Sequence, residues 1–131
     1  MERQNYVSLW IGSIKDYESL SKYVELNYNE DEGDFLPSQF LIDFDIDIDD
    51  LDEDFIEKVA HENSRNNLPA LIDGCSYDSV ILPRFENMVG TTLPEQINAA
   101  VLLYNFEYDG REKEKTEKNY SFKFIGAVPY V

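Results

Sequence analysis

No lysine or arginine falls between Glu25 and Glu57, yet fourteen of the chain's 27 acidic residues do. They are Glu25, Glu30, Asp31, Glu32, Asp34, Asp43, Asp45, Asp47, Asp49, Asp50, Asp52, Glu53, Asp54 and Glu57. The remaining thirteen acids face all eleven Lys and Arg, so this block carries most of the formal net charge of −16. Ionised carboxylates are not buried without partners. The acidic residues of this quarter of the chain therefore belong on the surface. Dispersed charge only keeps a chain in solution, whereas charge gathered in one block makes a face that attracts a cationic partner.

The chain as a whole is apolar enough to supply a core. Hydrophobic residues make up 43% and aromatics 14%, with nine Tyr and eight Phe, which is too apolar for an acidic disordered chain. At 131 residues the expectation is a single domain, 1–131. The apolar run Tyr6 to Ile11 is too short for a signal peptide, and Ala99 to Tyr104 is far below the ~20 residues that span a bilayer. Cys75 is the only cysteine, so there is no internal disulfide, as suits a reducing compartment. A pI near 4.2 argues against direct binding of nucleic acid or an anionic membrane. The expected location is the cytoplasm.

Tyr6-Val7-Ser8-Leu9-Trp10-Ile11-Gly12 reads as a strand closed by Gly, with Trp10 in the core. Asp16 is a candidate N-cap for a helix to about Tyr28, with Tyr17, Leu20, Val24 and Tyr28 as its stripe. Asn29 to Asp34 is a turn, and Pro37-Ser38 opens a short helical turn through Phe40, Leu41 and Phe44. From Asp43 to Asp49 the period becomes two, predicting an extended segment with carboxylates on one side and Phe44, Ile46 and Ile48 on the other. Leu51, Phe55, Ile56 and Val59 suggest a helix from about Asp52 to Glu62, followed by a loop from Asn63 to Pro69. A second helix follows Ser76, with Pro83 in its first turn or kinking it, and Gly90 to Pro94 ends it. Asn98 to Tyr108 reads as the longest and most central strand. After Asp109-Gly110 and a charged excursion from Arg111 to Lys118, Tyr120 to Tyr130 is expected to pair antiparallel with it. The class is α+β: a small, mostly antiparallel sheet with helices packed on it.

Motifs for catalysis are missing. His61 is the only histidine, read as a solvent-facing helix residue, and Cys75 is the only candidate thiol nucleophile. A structural zinc site needs four ligands, mostly Cys and His. There is no phosphate-binding glycine loop. Counted as an EF-hand from Asp43, the loop has Ile48 where Gly makes the turn and Asp54 in place of the bidentate Glu, so at most a weak surface calcium site is left. The expectations are no cofactor, no metal and no enzyme activity.

On an extended segment, same-side carboxylates lie ~6.7 Å apart, inside the ~8 Å Debye length. Each neighbouring pair then costs roughly 0.3 kcal/mol, and the row Asp43, Asp45, Asp47, Asp49 about 1 kcal/mol. Wider spacing would keep the chain soluble without that cost. A basic partner turns the repulsion into attraction. Asp34, Asp43, Asp45, Asp47, Asp49, Asp50, Asp52 and Asp54 are thus the candidate partner-binding acids, with Tyr28 and Phe35 as aromatic anchors among them. Phe40, Phe44 and Trp10 are assigned to the core.

Five segments together resemble the immunity protein 22 family of bacterial polymorphic toxin systems. They are Val7-Ser8-Leu9-Trp10-Ile11-Gly12, Asp34-Phe35-Leu36-Pro37-Ser38-Gln39-Phe40, Asp52-Glu53-Asp54-Phe55-Ile56-Glu57, Cys75-Ser76-Tyr77-Asp78-Ser79 and Asn98-Ala99-Ala100-Val101-Leu102-Leu103-Tyr104. The resemblance runs from about residue 6 to 108. It implies an α+β protein that binds and neutralises a cognate toxin of its own strain, with no catalytic residues and no cofactor. The residues alone leave two other readings open: an acidic adaptor or nucleic-acid mimic acting on a basic host protein, and a small enzyme built on the acidic block.

Overall fold

The computed structural model describes residues 2–29, 31 and 33–131, with the side chains of Tyr28, Asn29, Asp34 and Phe35 outside the described set. Among the described residues the strands are β1 Glu2–Ile14, β2 Asn27–Asn29, β3 Asp34–Leu36, β4 Ile56–Asn67, β5 Thr92–Phe106, β6 Glu114–Thr116 and β7 Tyr120–Pro129. The α-helices are α1 Tyr17–Val24, α2 Gln39–Asp43, α3 Leu68–Ile72 and α4 Asp78–Val89. Five strands form one antiparallel sheet in the order β4-β5-β1-β7-β6, and β2 and β3 make a separate hairpin. The α+β class is as expected.

Strand alternation splits the core into two layers. Val7, Leu9 and Ile11 point to one face of the sheet, where α3 and α4 bury Leu68, Leu71, Ile72, Ile81 and Phe85 against them. Trp10 and Ile14 point to the other, under Leu20, Tyr23 and Val24 of α1 and Phe40, Leu41, Phe44 and Ile46 of α2 and its exit. With both faces covered, β1 and β5 become continuously apolar, which explains the unbroken run from Ala99 to Tyr104. The buried polar side chains Ser8, Ser38 and Asn98 all find partners. Ser8 Oγ donates to the Phe106 carbonyl at 2.8 Å and accepts from Tyr108 N at 3.0 Å. Asn98 exchanges two hydrogen bonds with the Ile14 backbone.

Several expectations need correction. The last strand does not pair with β5: β1 lies between them, bonded to β5 on one side and to β7 on the other. β5 is the longest strand at 15 residues, but β1 holds the centre of the sheet. The stretch expected as a helix from Asp52 is a 3-10 turn, Glu53–Phe55, followed by β4. There the open edge of β5 takes Ile56 opposite Leu103 and Val59 opposite Ala100, and backbone pairing overrides a weak helical period. β4 also consumes the loop expected from Asn63. Asp16 does cap α1, accepting from Ser19 N at 2.8 Å, but the helix ends at Val24; Tyr17 is exposed and Tyr23 takes the buried place. Pro83 lies inside α4, past its first turn.

Candidate functional site

The acidic segment is folded by its own aspartates. Ser38 caps α2, its Oγ accepting from Leu41 N at 3.3 Å. After Phe44 the chain turns through Asp45 in the left-handed region, at φ 53, which Asp tolerates better than most residues. Asp47 Oδ1 then accepts from Asp49 N at 2.9 Å and starts a 3-10 turn, Ile48–Asp50. Asp52 Oδ1 does the same for Asp54 N, at 2.9 Å, to start the next. The segment is therefore not the extended strand expected, because a short carboxylate that caps its own neighbour's amide competes with strand geometry. The alternation in burial holds even so. Phe44 and Ile46 are buried and Ile48 half-buried, while Asp45, Asp47 and Asp49 face solvent.

Asp43 points inward. One oxygen accepts from Tyr23 Oη at 2.9 Å and Tyr120 Oη at 2.6 Å, and the other from Gln39 Nε2 at 2.8 Å. This ties α1, α2 and β7 together beneath the acidic surface. Burial, and then the hydrogen bond to Asp43, drive the Tyr23 phenol far above its ordinary value. The sign follows directly: above pH ~10 an unfolded tyrosine gives up its proton while folded Tyr23 keeps it, so stability present below pH ~10 is lost as pH rises further. Tyr23 alone is expected to remove about 1.4 kcal/mol per pH unit above that point. Urea melts at pH 9, 10 and 11 check this against Tyr23→Phe, whose alkaline slope should be shallower; equal slopes would show that the phenol titrates freely in the fold.

Outside this knot, Asp45, Asp47, Asp49, Asp52, Glu53 and Asp54 are exposed and Asp50 is half-buried. Arg111 reaches in from the charged excursion, its Nη1 3.1 Å from Asp45 Oδ2 while Nη2 lies 2.8 Å from Asp109 Oδ2. The hydrogen bonds from the Arg111 side chain and backbone hold the Asp109 carboxyl below its usual range. A polar hollow of about 480 Å³ is lined by Asp45, Ile46, Asp47, Asp50 and Arg111. Tyr28 pairs with Phe35, and Asn29 with Asp34, in the β2–β3 ladder. The side chains of Tyr28, Asp34 and Phe35 lie outside the described residues, so their part in the surface is given by backbone alone.

A family model for Immunity protein 22 matches residues 7–130. The chain belongs to that family. The match takes in β6 and β7, beyond the stretch whose motifs carry the resemblance. Compared with curated proteins and with solved structures, the chain finds no match.

The name suits an inhibitor that works by binding, and the two side chains most open to a catalytic reading have structural engagements in this immunity-family fold. His61 is not on a solvent-facing helix: it lies half-buried on β4 with Nε2 2.9 Å from the Leu71 carbonyl, tying β4 to α3. Cys75 is buried, and burial together with the charges of Glu57, Asp78 and Asp73 pushes its thiol up to about 12, so little thiolate exists at neutral pH. Among the described residues no group of three or more His, Cys, Asp or Glu is arranged to hold a metal ion. No helix among them is long and apolar enough to cross a membrane.

One concave feature has no counterpart in the sequence reading. Phe55, Tyr77, Tyr104 and Tyr130 meet beside Asp54 and Glu57 around a cleft of about 320 Å³. Phe55 and Tyr77 are 44% and 52% exposed, large apolar rings left open to water. Phe55 was legible as the one aromatic inside Asp52 to Glu57; the three tyrosines converge only through folding.

Proposed function

We propose that this chain binds and neutralises a cognate protein toxin made by its own strain, laying its acidic surface over a basic face of that toxin in the cytoplasm. The observation that carries the reading is the set of exposed acids between Asp45 and Asp54, on a segment whose turns are capped by Asp47 and Asp52, in a member of the Immunity protein 22 family. Capped turns suit this task, because a backbone already ordered loses little entropy when it docks. Toxins that cut nucleic acid carry cationic clefts, and a row of carboxylates replaces the phosphates such a cleft attracts. A nuclease is thus the toxin class that fits best. The hairpin bearing Tyr28, Asp34 and Phe35 extends the proposed face, since β3 ends at Leu36, just before the Ser38 cap.

The test is capture with tagged protein from the source strain, followed by assay of the captured toxin. The expected result is a stoichiometric complex in which toxin activity disappears at equimolar inhibitor. A toxin from the same locus that ignores the chain, or stays fully active in the complex, overturns the reading.

A further inference from the structure

We propose that the tyrosine cleft at the start of α4 is a cage for one arginine side chain of the toxin. This rests on the binding role proposed above and names the toxin group that fills the site. Tyr77 stands on the last residue before α4 with φ 62 and ψ 24, a left-handed conformation unfavourable for a bulky side chain, and it makes no capping bond. Its ring stands out over the cleft, with Tyr130 at 4.7 Å and Tyr104 at 6.1 Å between centroids. Tyr104 and Tyr130 meet edge to face at 5.3 Å and 86°. Both are pinned through their hydroxyls, Tyr104 donating to the Ser76 carbonyl at 2.6 Å and Tyr130 to Asn105 Oδ1 at 2.7 Å.

Opposite the tyrosines, Phe55 supplies an apolar wall, and Asp54 and Glu57 supply charge. Glu57 is held by Ser76 N, 3.1 Å from each carboxylate oxygen, so its position is fixed before anything binds. Among the described residues no Lys or Arg lines the cleft. Aromatic faces and two carboxylates, that of Glu57 anchored, around an open space favour a cation, since ring quadrupole and carboxylate attract the same charge. The volume is at the bottom of the ~300–1,000 Å³ range of small-molecule sites, fitting one long side chain rather than a nucleotide. Arginine suits it better than lysine: a flat guanidinium stacks on tyrosine while its fork reaches a carboxylate. The cleft shares Asp54 with the acidic segment, so an arginine seated here lies beside the basic face that segment attracts.

Two measurements decide it. The first needs no toxin: N-acetyl-arginine amide is titrated into labelled protein while the ring signals of Tyr77, Tyr104 and Tyr130 are followed by NMR. Those signals should move with N-acetyl-arginine amide and not with its uncharged analogue N-acetyl-citrulline amide, and Glu57→Gln should weaken the response. Equal responses to the two amides, or none, overturn the cage whether or not a toxin is in hand. The second uses the complex. Tyr77→Gly removes the ring while relieving a left-handed backbone, so the melting temperature should hold or rise. Toxin affinity should fall about thirtyfold or more, mostly through faster dissociation, as for a buried anchor. Toxin bound as tightly by Tyr77→Gly as by wild type would overturn the cage as part of the interface. A wild-type chain that binds no toxin would instead sink the proposed function, leaving the amide titration to decide the cage.

Discussion

Trp10→Ala is expected to lower the free energy of unfolding by ~3–5 kcal/mol, the range for deleting a fully buried large side chain. Trp10 is 0% exposed at the middle of β1. Its ring contacts Phe40 at 5.0 Å, Phe44 at 5.8 Å, Tyr108 at 5.3 Å and Phe124 at 5.1 Å between centroids. Alanine would leave a cavity walled by aromatics from three separate elements, which cannot collapse inward together. The indole N–H is buried with no hydrogen-bond partner among the described residues, so part of the burial gain is already offset. Trp10→Phe should therefore cost much less than Trp10→Ala. Denaturant melts of both variants check this, and a wild-type emission maximum typical of water-exposed tryptophan, or a loss under ~1 kcal/mol for the alanine variant, would count against it. The consequence extends to the acidic surface, because Phe44 packs on Trp10 and Asp45 follows it directly.

What was legible follows from where the information lies. Trp10 was readable as core because its neighbours Val7, Leu9 and Ile11 already made a strand too apolar for any surface. The cap at Asp16, and the short helical turn opened by Pro37-Ser38, were readable because such signals are a matter of a few neighbouring residues. The placement of β1 between β5 and β7 was not, since it depends on pairing residues about a hundred positions apart. An Asp-Gly turn beside two apolar runs looks the same whether the runs pair with each other or with a third. One trace of the true order is present at Gly12. A Cβ there would lie 2.0 Å from the Ser121 carbonyl, so this residue is glycine because the β7 backbone crosses close by. The acidic row was half legible. Alternation gave the burial of Phe44 and Ile46 correctly, while the caps that replace the strand depend on side chain bonding to backbone, which period alone does not register. The tyrosine cleft was hidden altogether, because Tyr77, Tyr104 and Tyr130 come from a helix start, a central strand and the chain's end.

Neutralising the carboxylates of Asp45, Asp47 and Asp49 is expected to slow association with the toxin about tenfold or more at low salt, and to flatten its salt dependence. The geometry dictates the substitution. Reversal to lysine would remove the Asp47 cap, worth ~0.5–2 kcal/mol, and would force a longer side chain onto the left-handed turn at Asp45. Those losses outweigh the relief of self-repulsion, so a weakened complex from the lysine triple would be ambiguous. Asparagine caps as well as aspartate and tolerates the left-handed region, so Asp45→Asn, Asp47→Asn and Asp49→Asn together remove three charges and leave the backbone its bonds. Arg111 loses its partner at Asp45 but keeps Asp109. The control is Glu112→Lys with Glu114→Lys, a larger charge change on the excursion next to Arg111. Stopped-flow association at several salt concentrations separates the outcomes. A slower, salt-insensitive asparagine triple beside a near-normal control means the carboxylates steer the encounter. Equal slowing in both means only net charge matters, and salt-independent association of the wild type means the acidic segment is a solvated face and nothing more.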